Sequence, residues 1–432
     1  MVRKIAFQEA APRRVLLTTA VLTAVVMGDS MLYNVLPAQV SAFAIPVSLV
    51  GVLLGVNRFV RLVSNPFASW VYKHFGLVKP LVATVMVSVA TTITYGLAQG
   101  FGLLLLARVL WGICFSILRL SGYMMVLEDG EERTRGKLMG LFRGGPRVGS
   151  AIGVFLGGIL FDLTGRRASF LIIGALGLLG LPAALALTEH GQRSIGGTPS
   201  TRTDPSHKTS APHPEGSRQH IWDVMVSPVP ELDVRRRRQL LAVNFVSLAF
   251  NFVMSGLVMA TLGFLLNQRL GSGVTVAGIA IGIATLNGAL LAVRFLSDLA
   301  APYFGYLGDR LGRELVLLST IPICITALLF LAYPVALPLM LVWLVFTFLA
   351  TTTALTMLDA MVGNLAPANR RAQVMSRYAT WQDIGSATGP LLGYAVLSFT
   401  SLTLVYLGSA LLLATATGAF CLALRHPRVR LN

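Results

Sequence analysis

Charged residues inside long apolar runs are the positions at which this sequence could do chemistry. The aspartates are Asp29, Asp298, Asp359 and Asp383, and the arginines are Arg58, Arg61, Arg108, Arg119 and Arg294, with Arg143, Arg147 and Arg377 nearer the ends of the runs. A charge at the centre of a bilayer costs at least ~2.5 kcal/mol and persists mainly where it has a function. If the runs cross a membrane, these residues mark a pathway for a solute.

Asp29 is the predicted proton-coupling residue. It lies 14 residues into the first apolar run, which is about 21 Å along a helix and in the outer half of a bilayer core of roughly 30 Å. Apolar surroundings penalise the charged form of a carboxylate, which is what a group that binds and releases protons requires. Arg58 lies at a similar depth, so a static ion pair between Asp29 and Arg58 is the competing interpretation.

Arg147 and Asp383 stand at the head of two copies of one motif, Gly-Ser-Ala-x-Gly-x-x-x-Gly, in "RVGSAIGVFLGG" and "DIGSATGPLLGY". Opposite charges at equivalent positions predict a salt bridge that closes a gate. The alternative is that each side chain extends separately to the lipid headgroups. Arg294 and Asp298 are one helical turn apart and are predicted to pair within their own helix, in a structural role.

Arg58, Arg119 and Asp359 are candidates for the wall of a substrate cavity. Arg119 has no acidic residue near it in the sequence. Eight arginines against four aspartates in the apolar runs would make such a cavity positive and attractive to carboxylates or phosphates. The charge balance therefore favours an organic anion as the substrate.

The composition identifies the elements that must position these residues. The chain has 432 residues, of which 55% are hydrophobic and 12% are charged, against roughly 25% charged in an average soluble domain. Twelve apolar runs approach the ~20 residues that a helix needs to cross a bilayer. They are residues 15–36, 47–69, 79–98, 101–125, 138–161, 168–187, 239–264, 275–304, 315–333, 336–361, 376–398 and 401–424. The sequence therefore predicts an all-α membrane protein with twelve transmembrane helices.

Basic residues set the predicted orientation. With a cytoplasmic N-terminus, 24 Lys and Arg residues lie in cytoplasmic loops and tails, and 3 lie in outer loops. This asymmetry predicts that both termini face the cytoplasm. Because the basic residues that give the net charge of +17 lie mainly in short loops, nucleic acid is not an expected partner. We expect a multi-pass protein of the plasma or inner membrane that contacts lipid.

The chain divides into two similar halves. Residues 188–238 are rich in Ser, Thr, Pro, Gly and charge, which predicts a disordered cytoplasmic linker between six-helix bundles at 1–187 and 239–432. A shift of 236 residues aligns Arg58 with Arg294, and the same shift aligns the two glycine motifs. A parallel repeat of this kind is typical of secondary transporters with a central site between two bundles.

A loop motif connects the sequence to a known family. The stretch "GYLGDRLGR" contains Gly305, Asp309, Arg310, Gly312 and Arg313. It matches Gly-x-x-x-Asp-Arg-x-Gly-Arg, a signature of the major facilitator superfamily, which the chain resembles over essentially its whole length. The resemblance implies two pseudo-symmetric six-helix bundles and a cytoplasmic latch in which Asp309 faces a helix N-terminus and Arg310 pairs with it. The first copy, "SWVYKHFGL", has Lys73 in place of the acid, so the latch should rest on the second half.

Two further motifs resemble the same family. "LLLARVLWGICFS" contains Arg108 and Gly112 of a span-4 signature, and the resemblance implies that this arginine takes part in proton transfer. Proton antiporters carry Gly-x8-Gly-x3-Gly-Pro-x2-Gly-Gly in span 5, and here Val154 replaces the proline. The helix-packing residues of the two copies are Gly149, Gly153, Gly157, Gly385, Gly389, Pro390 and Gly393. The motif favours antiport, and simple packing at the bundle interface is the alternative.

The sequence therefore predicts a secondary active transporter. Proton-coupled efflux of a small molecule by alternating access ranks first, and a carrier of an organic anion is the alternative. A metal-ion importer is a weaker alternative, suggested by the Met-x-Asp-x-Met pattern that "MGDSM" and "MLDAM" share. It ranks low because Asp29 faces away from the Met27 and Met31 pair on a helix. A non-transporting sensor is another alternative. Enzyme motifs such as HExxH are lacking, and we expect a monomer without cofactor or bound metal.

Overall fold

The computed structural model describes residues 12–76, 78–129, 134–187, 233–276, 278–367 and 370–424. Most of the predicted linker, residues 188–232, lies outside the described residues. The helix that follows begins at Val234, so Arg235–Arg238, which belong to the predicted linker, form the exposed start of the second half.

The N-terminal half is helical over nearly all of its described length. Its elements are α1 (Arg13–Ala38), a 3₁₀ turn (Val40–Phe43), α2 (Val47–Phe75), α3 (Val78–Leu97), α4 (Phe101–Asp129), α5 (Arg135–Gly177) and α6 (Gly180–Leu185). Helix α5 breaks at Gly165, whose φ of 74° lies in the left-handed region that favours glycine. The break falls between predicted spans 5 and 6.

The C-terminal half repeats this architecture with one insertion. Its elements are α7 (Val234–Phe250), a π-helical segment (Asn251–Val258), α8 (Met259–Leu270), β1 (Gly273–Val276), β2 (Ile279–Gly282), α9 (Ile283–Ser297), a 3₁₀ turn (Asp298–Ala300), α10 (Ala301–Leu311), α11 (Arg313–Ala332), α12 (Leu337–Leu365), α13 (Arg371–Leu397) and α14 (Leu402–Leu424). Helix α7, the π segment and α8 follow one another without a break, and together they form predicted span 7.

Strands β1 and β2 pair as an antiparallel hairpin, which corrects the predicted span 275–304. The helix of that span begins only at Ile283. Gly271 and Gly278 have φ values of 68° and 82°, so the chain turns where a helix would need negative φ. The valine and threonine residues before Gly278 and the isoleucine residues after it favour strands.

Ten helices in the described part of the chain are long and apolar enough to cross a membrane. One of them, Arg135–Leu185, has 51 residues and can supply two crossings because it breaks at Gly165. Helix α13 is not among the ten, since Gln382 and Asp383 interrupt its apolar residues. The all-α membrane architecture is confirmed, and the number twelve stays a prediction.

The two halves have separate apolar cores and meet most closely at one end. We call the end at which α1 ends and α2 begins the outer end. A Cβ atom on Gly51 would lie 2.3 Å from the carbonyl oxygen of Pro390, and one on Gly158 would lie 2.3 Å from that of Ala284. An apolar cluster at this end joins Tyr394 and Ala284 to residues of the N-terminal half. The predicted orientation turns this closely packed end away from the cytoplasm.

The first glycine stripe packs within the N-terminal half. Cβ atoms on Gly149 and Gly153 would lie 2.2 and 2.5 Å from backbone carbonyl oxygens of α1, and one on Gly157 would lie 2.5 Å from the Met31 side chain. Backbones this close pack well without side chains between them. The expectation that this stripe forms the interface between the bundles is wrong, because the stripe faces the first helix of its own half.

The second stripe repeats the arrangement in the C-terminal half. Cβ atoms on Gly385 and Gly389 would lie 2.5 and 2.3 Å from backbone oxygens of predicted span 7, and one on Gly393 would lie 3.2 Å from Leu257. Pro390 is the exception, since its carbonyl oxygen packs against Gly51 of the other half. The two stripes thus hold equivalent helix pairs, one in each half.

Candidate functional site

Asp29 and Arg108 form an ion pair in the interior of the N-terminal half. Arg108 Nη1 donates a hydrogen bond to Asp29 Oδ1, and Arg108 Nε donates one to the carbonyl oxygen of Leu53 at 2.7 Å. The Arg108 side chain is fully buried, whereas 13% of the Asp29 side chain is exposed. The carboxylate is therefore the member of the pair that an ion can reach. Arg58, which depth along the helices suggested as the partner, does not take this position.

The spacing of Arg108 and Gly112 explains how the arginine reaches α1. A Cβ atom on Gly112 would lie 2.8 Å from the carbonyl oxygen of Asn57 and 3.1 Å from Val60 Cβ, so a glycine is needed where α4 crosses α2. One helical turn before this crossing, the long side chain of Arg108 passes the α2 backbone and meets Asp29.

Tyr33 completes the surroundings of the pair, one helical turn after Asp29. The guanidinium carbons of Arg108 and Arg58 lie 5.0 and 5.8 Å from the centre of its ring, at distances typical of cation–π contacts. The phenol donates to the carbonyl oxygen of Leu54 at 2.5 Å. Sequence reasoning missed Tyr33, although its spacing from Asp29 was a usable signal.

Arg61 and Arg119 extend this polar region along α2 and α4. The Arg61 guanidinium carbon lies 4.7 Å from the centre of the Phe115 ring, and Arg119 Nη2 donates to Asn65 Oδ1 at 3.3 Å. Asp383 of α13 is the acidic residue that acts electrostatically on Arg61. Asp383 is therefore within electrostatic range of Arg61 of α2, whereas the salt-bridge partner of Arg147 is another aspartate, Asp298.

Arg147 binds Asp298, so the predicted bridge between Arg147 and Asp383 is not formed here. Arg147 Nε lies 3.1 Å from Asp298 Oδ2, and Arg294 Nη1 lies 2.5 Å from Asp298 Oδ1. Thr352 donates to the same carboxylate at 2.9 Å. The predicted pairing of Arg294 with Asp298 is confirmed, and Arg147 adds a charged contact between the two halves.

Asp359 joins α12 to α13. Its Oδ1 atom accepts hydrogen bonds from the Tyr378 hydroxyl at 2.7 Å and from Gln382 Nε2 at 3.1 Å. Arg143 of the N-terminal half acts electrostatically on this carboxylate. Asp359 therefore has polar partners in its own half and a cation across the interface.

The loop motif between α10 and α11 forms a local ion pair. Asp309 Oδ1 accepts hydrogen bonds from Arg313 Nε and Nη2 at 3.1 and 2.7 Å, and Arg313 Nη1 donates to the carbonyl oxygen of Ala360. Gly312, with a φ of 93°, turns the chain so that Arg313 folds back. The expected pairing of Asp309 with Arg310 is wrong in this structure, because Arg310 lies over the ring of Tyr306 instead.

Polar contacts between the halves at the outer end were missed by sequence reasoning. Asn34 Nδ2 donates to the carbonyl oxygens of Val154 and Ala284, and Asn287 Nδ2 donates to Asn34 Oδ1 at 2.8 Å. Both asparagines are fully buried. Because their contacts join three helices of both halves, they form an amide link at the closed end.

Asp162 caps a helix of the opposite half at the same end. Its Oδ2 atom accepts hydrogen bonds from the backbone nitrogen and the hydroxyl of Thr285 at 2.7 and 2.6 Å. Thr285 lies in the first turn of α9, where a negative charge is favourable.

The methionines of the two Met-x-Asp-x-Met patterns are buried packing residues. Met31 and Met357 are 0% and 1% exposed. Within the described ranges, no group of three His, Cys, Asp or Glu residues is placed to hold a metal ion.

Comparison with known proteins gives a family match over the length of the chain. Residues 18–300 and 295–432 match the family model described as Major Facilitator Superfamily. A stretch of 133 residues, 30% of this chain and 26% of the relative, is 33% identical to a synaptic vesicular amine transporter of Homo sapiens. A vesicular acetylcholine transporter of Torpedo torpedo is 27% identical over 161 residues, which are 37% of this chain and 31% of the relative. The matched stretches thus span about a quarter to a third of these relatives.

Solved structures match the whole fold at low sequence identity. A bacterial homologue of the human lysosomal transporter Spinster, in an inward-facing and unoccupied conformation, has a TM-score of 0.67 and 17% identity, covering 96% of this chain and 98% of its own. The nucleoside transporter NupG has a TM-score of 0.71 and 11% identity, covering 96% and 100% of the two chains. At these identities the likeness shows the fold alone.

Proposed function

The chain belongs to the Major Facilitator Superfamily and is a secondary transporter, and we propose that it exchanges protons for an organic amine or a similar cation. The observation that carries this proposal is the ion pair of Asp29 and Arg108. A carboxylate that is mostly buried, lies along a transmembrane helix and keeps 13% of its side chain exposed is suited to bind a cation or a proton.

Competition for this one carboxylate couples the two fluxes. An ammonium group binds Asp29 when the carboxylate is charged, and a proton bound to Asp29 removes that charge. Because the substrate and the proton cannot occupy the carboxylate together, one leaves as the other binds. Arg108 stays in place through the exchange, since its Nε atom remains bonded to the carbonyl oxygen of Leu53.

Alternating access requires that the closely packed outer end opens in the other half of the cycle. The amide link of Asn34 and Asn287 and the Asp162 cap on Thr285 hold that end. Hydrogen bonds of this kind each contribute about 1 kcal/mol, so they can break and re-form during transport. Near the inner end we assign the gate to the charged residues Arg147, Asp383, Asp309, Arg310 and Arg313.

The substrate class is proposed from the names of the relatives together with the charge of Asp29. Both relatives are named for nitrogen compounds, an amine and acetylcholine. We propose export from the cytoplasm, with both termini on the cytoplasmic side, by a monomer that moves its substrate without converting it chemically.

Everted membrane vesicles test this proposal. The vesicles are acidified inside, and proton release is followed with a pH-sensitive dye as monoamines, quaternary ammonium compounds or organic anions are added. We expect proton release with amines and its loss in Asp29→Asn, because the neutral amide cannot carry a proton. Asp233→Asn is the matched control, since it removes an exposed carboxylate at the start of α7.

Two results would contradict the proposal. Proton release that persists in Asp29→Asn at wild-type rates would remove Asp29 from the coupling. A response to organic anions and not to amines would favour the alternative of an anion carrier.

A further inference from the structure

Three arginines on one wall between the halves have no carboxylate partner within salt-bridge distance. Arg58, Arg61 and Arg119 lie in membrane-spanning helices, yet among the described residues none of them lies within 4.0 Å of an acidic oxygen. Other arginines in the same helical core, such as Arg108 and Arg294, each bind an aspartate. The three arginines, which we call the basic cluster, are therefore uncompensated where a charge is costly.

The basic cluster faces the space between the halves. Arg58 and Arg61 are three residues apart and Asn65 follows four residues later, so all three lie on one face of α2. Arg61 stacks on Phe115 of α4 at 4.7 Å, and Arg119 donates to Asn65. A Cβ atom on Gly55, one helical turn before Arg58, would lie 2.7 Å from the carbonyl oxygen of Ala387, so this side of α2 packs toward α13 of the other half.

The charge of the cluster is not balanced by its neighbours. Arg58 and Arg119 act electrostatically on Arg61 and repel it, and Asp383 is the acidic residue that opposes them. Three positive charges and one negative charge leave a net charge of about +2 on this wall, which attracts anions.

We propose that the basic cluster is a binding site for a carboxylate or phosphate group. Guanidinium groups present paired N–H donors that match the oxygens of these anions, and an anion among the three arginines would relieve their mutual repulsion. Phe115 adds an apolar surface beside Arg61 for the organic part of such a ligand. This site adjoins the Asp29–Arg108 pair through the ring of Tyr33, and it does not depend on the proposed antiport.

Two sources share this chemistry, a free anion that enters between the halves and the headgroup of an anionic lipid. Arg119 lies ten residues before the inner end of α4, which is about 15 Å along the helix. A solute could reach this depth from the cytoplasmic side, and a lipid could reach it from the inner leaflet.

Binding of radiolabelled inorganic phosphate to the purified full chain tests the proposal. The protein is placed in nanodiscs of phosphatidylcholine, and we expect saturable binding that acetate displaces. Arg61→Gln should weaken the apparent affinity at least tenfold. Arg236→Gln, which removes an exposed arginine at the start of α7, should leave it unchanged. Arg61→Lys keeps the charge for folding but loses the paired donors, and it should weaken binding several-fold.

Discs that contain phosphatidylglycerol separate the two sources. If phosphate binding falls as phosphatidylglycerol increases, and this fall requires Arg61, the site accepts both a free anion and a lipid headgroup. Phosphate binding that is insensitive to phosphatidylglycerol assigns it to a free anion. If phosphate does not bind, an Arg61-dependent rise in thermal stability with phosphatidylglycerol assigns it to a lipid. Absence of all these effects in wild-type protein, or equal binding in Arg61→Gln, overturns the proposal.

Discussion

Removing one partner of the Asp29–Arg108 pair should destabilise the protein more than removing both. In Asp29→Asn the guanidinium group of Arg108, which is fully buried, keeps its charge but loses its counter-ion. In Arg108→Gln the remaining carboxylate is partly exposed and can take up a proton, so we expect a smaller loss. The double variant places two neutral amides together and should recover much of the stability.

The size of the effect follows from the burial of Arg108. Removing one partner of a buried ion pair costs about 3–5 kcal/mol. An unfolding entropy of about 2.1 cal/mol/K per residue gives roughly 0.9 kcal/mol/K for 432 residues. Asp29→Asn should therefore lower Tm by about 4 °C if the chain unfolds in one transition.

Thermal unfolding of the purified wild type, the two single variants and the double variant measures this coupling. Asp233→Asn, an exposed change, should shift Tm by less than about 1 °C. If the shift in the double variant equals the sum of the two single shifts, Asp29 and Arg108 do not stabilise the protein as a pair.

Five other substitutions give contrasting expectations. Gly153→Val should lower the free energy of unfolding by about 1–3 kcal/mol or more, because its Cβ would lie 2.5 Å from an α1 carbonyl oxygen. Gly140→Val is the control, since a Cβ there meets open space. The yield of folded protein after detergent extraction compares the two variants. Asp162→Ala removes a helix cap worth about 1 kcal/mol, so labelling of an engineered cysteine at the outer end should rise about fivefold. Arg147→Gln removes a half-exposed partner of Asp298, so it should lower the free energy of unfolding by less than about 1 kcal/mol. Asp298→Asn also leaves the buried Arg294 without its partner, so it should lower Tm by several degrees.

The sequence identified the site residues more reliably than their partners. Asp29 and Arg108 stand out because each is a charge inside an apolar run. Depth along two helices suggested Arg58 as the partner of Asp29, because a depth argument contains no information on which helices touch. The close crossing of α4 and α2 at Gly112 brings Arg108 to Asp29. The spacing of residues along one helix does not predict where two helices cross.

The glycine stripes illustrate the same limit for the fold. Spacing of four residues predicts that a helix packs closely against another, and Gly149 and Gly385 do so. It does not say which helix is the neighbour, and here the neighbour is the first span of the same half. Asp162 was missed because it lies beyond the apolar run that ends at residue 161, and its role depends on a helix 123 residues away.

Proteoliposomes show directly whether the protein exchanges protons for an amine. Purified protein is reconstituted in vesicles that are loaded with an amine which drives proton release in everted membranes, with equal pH on both sides. We expect that dilution into amine-free buffer acidifies the vesicle lumen as the amine leaves, and that Asp29→Asn abolishes this change. Efflux of the amine with no movement of protons, or with protons leaving in the same direction, would contradict antiport.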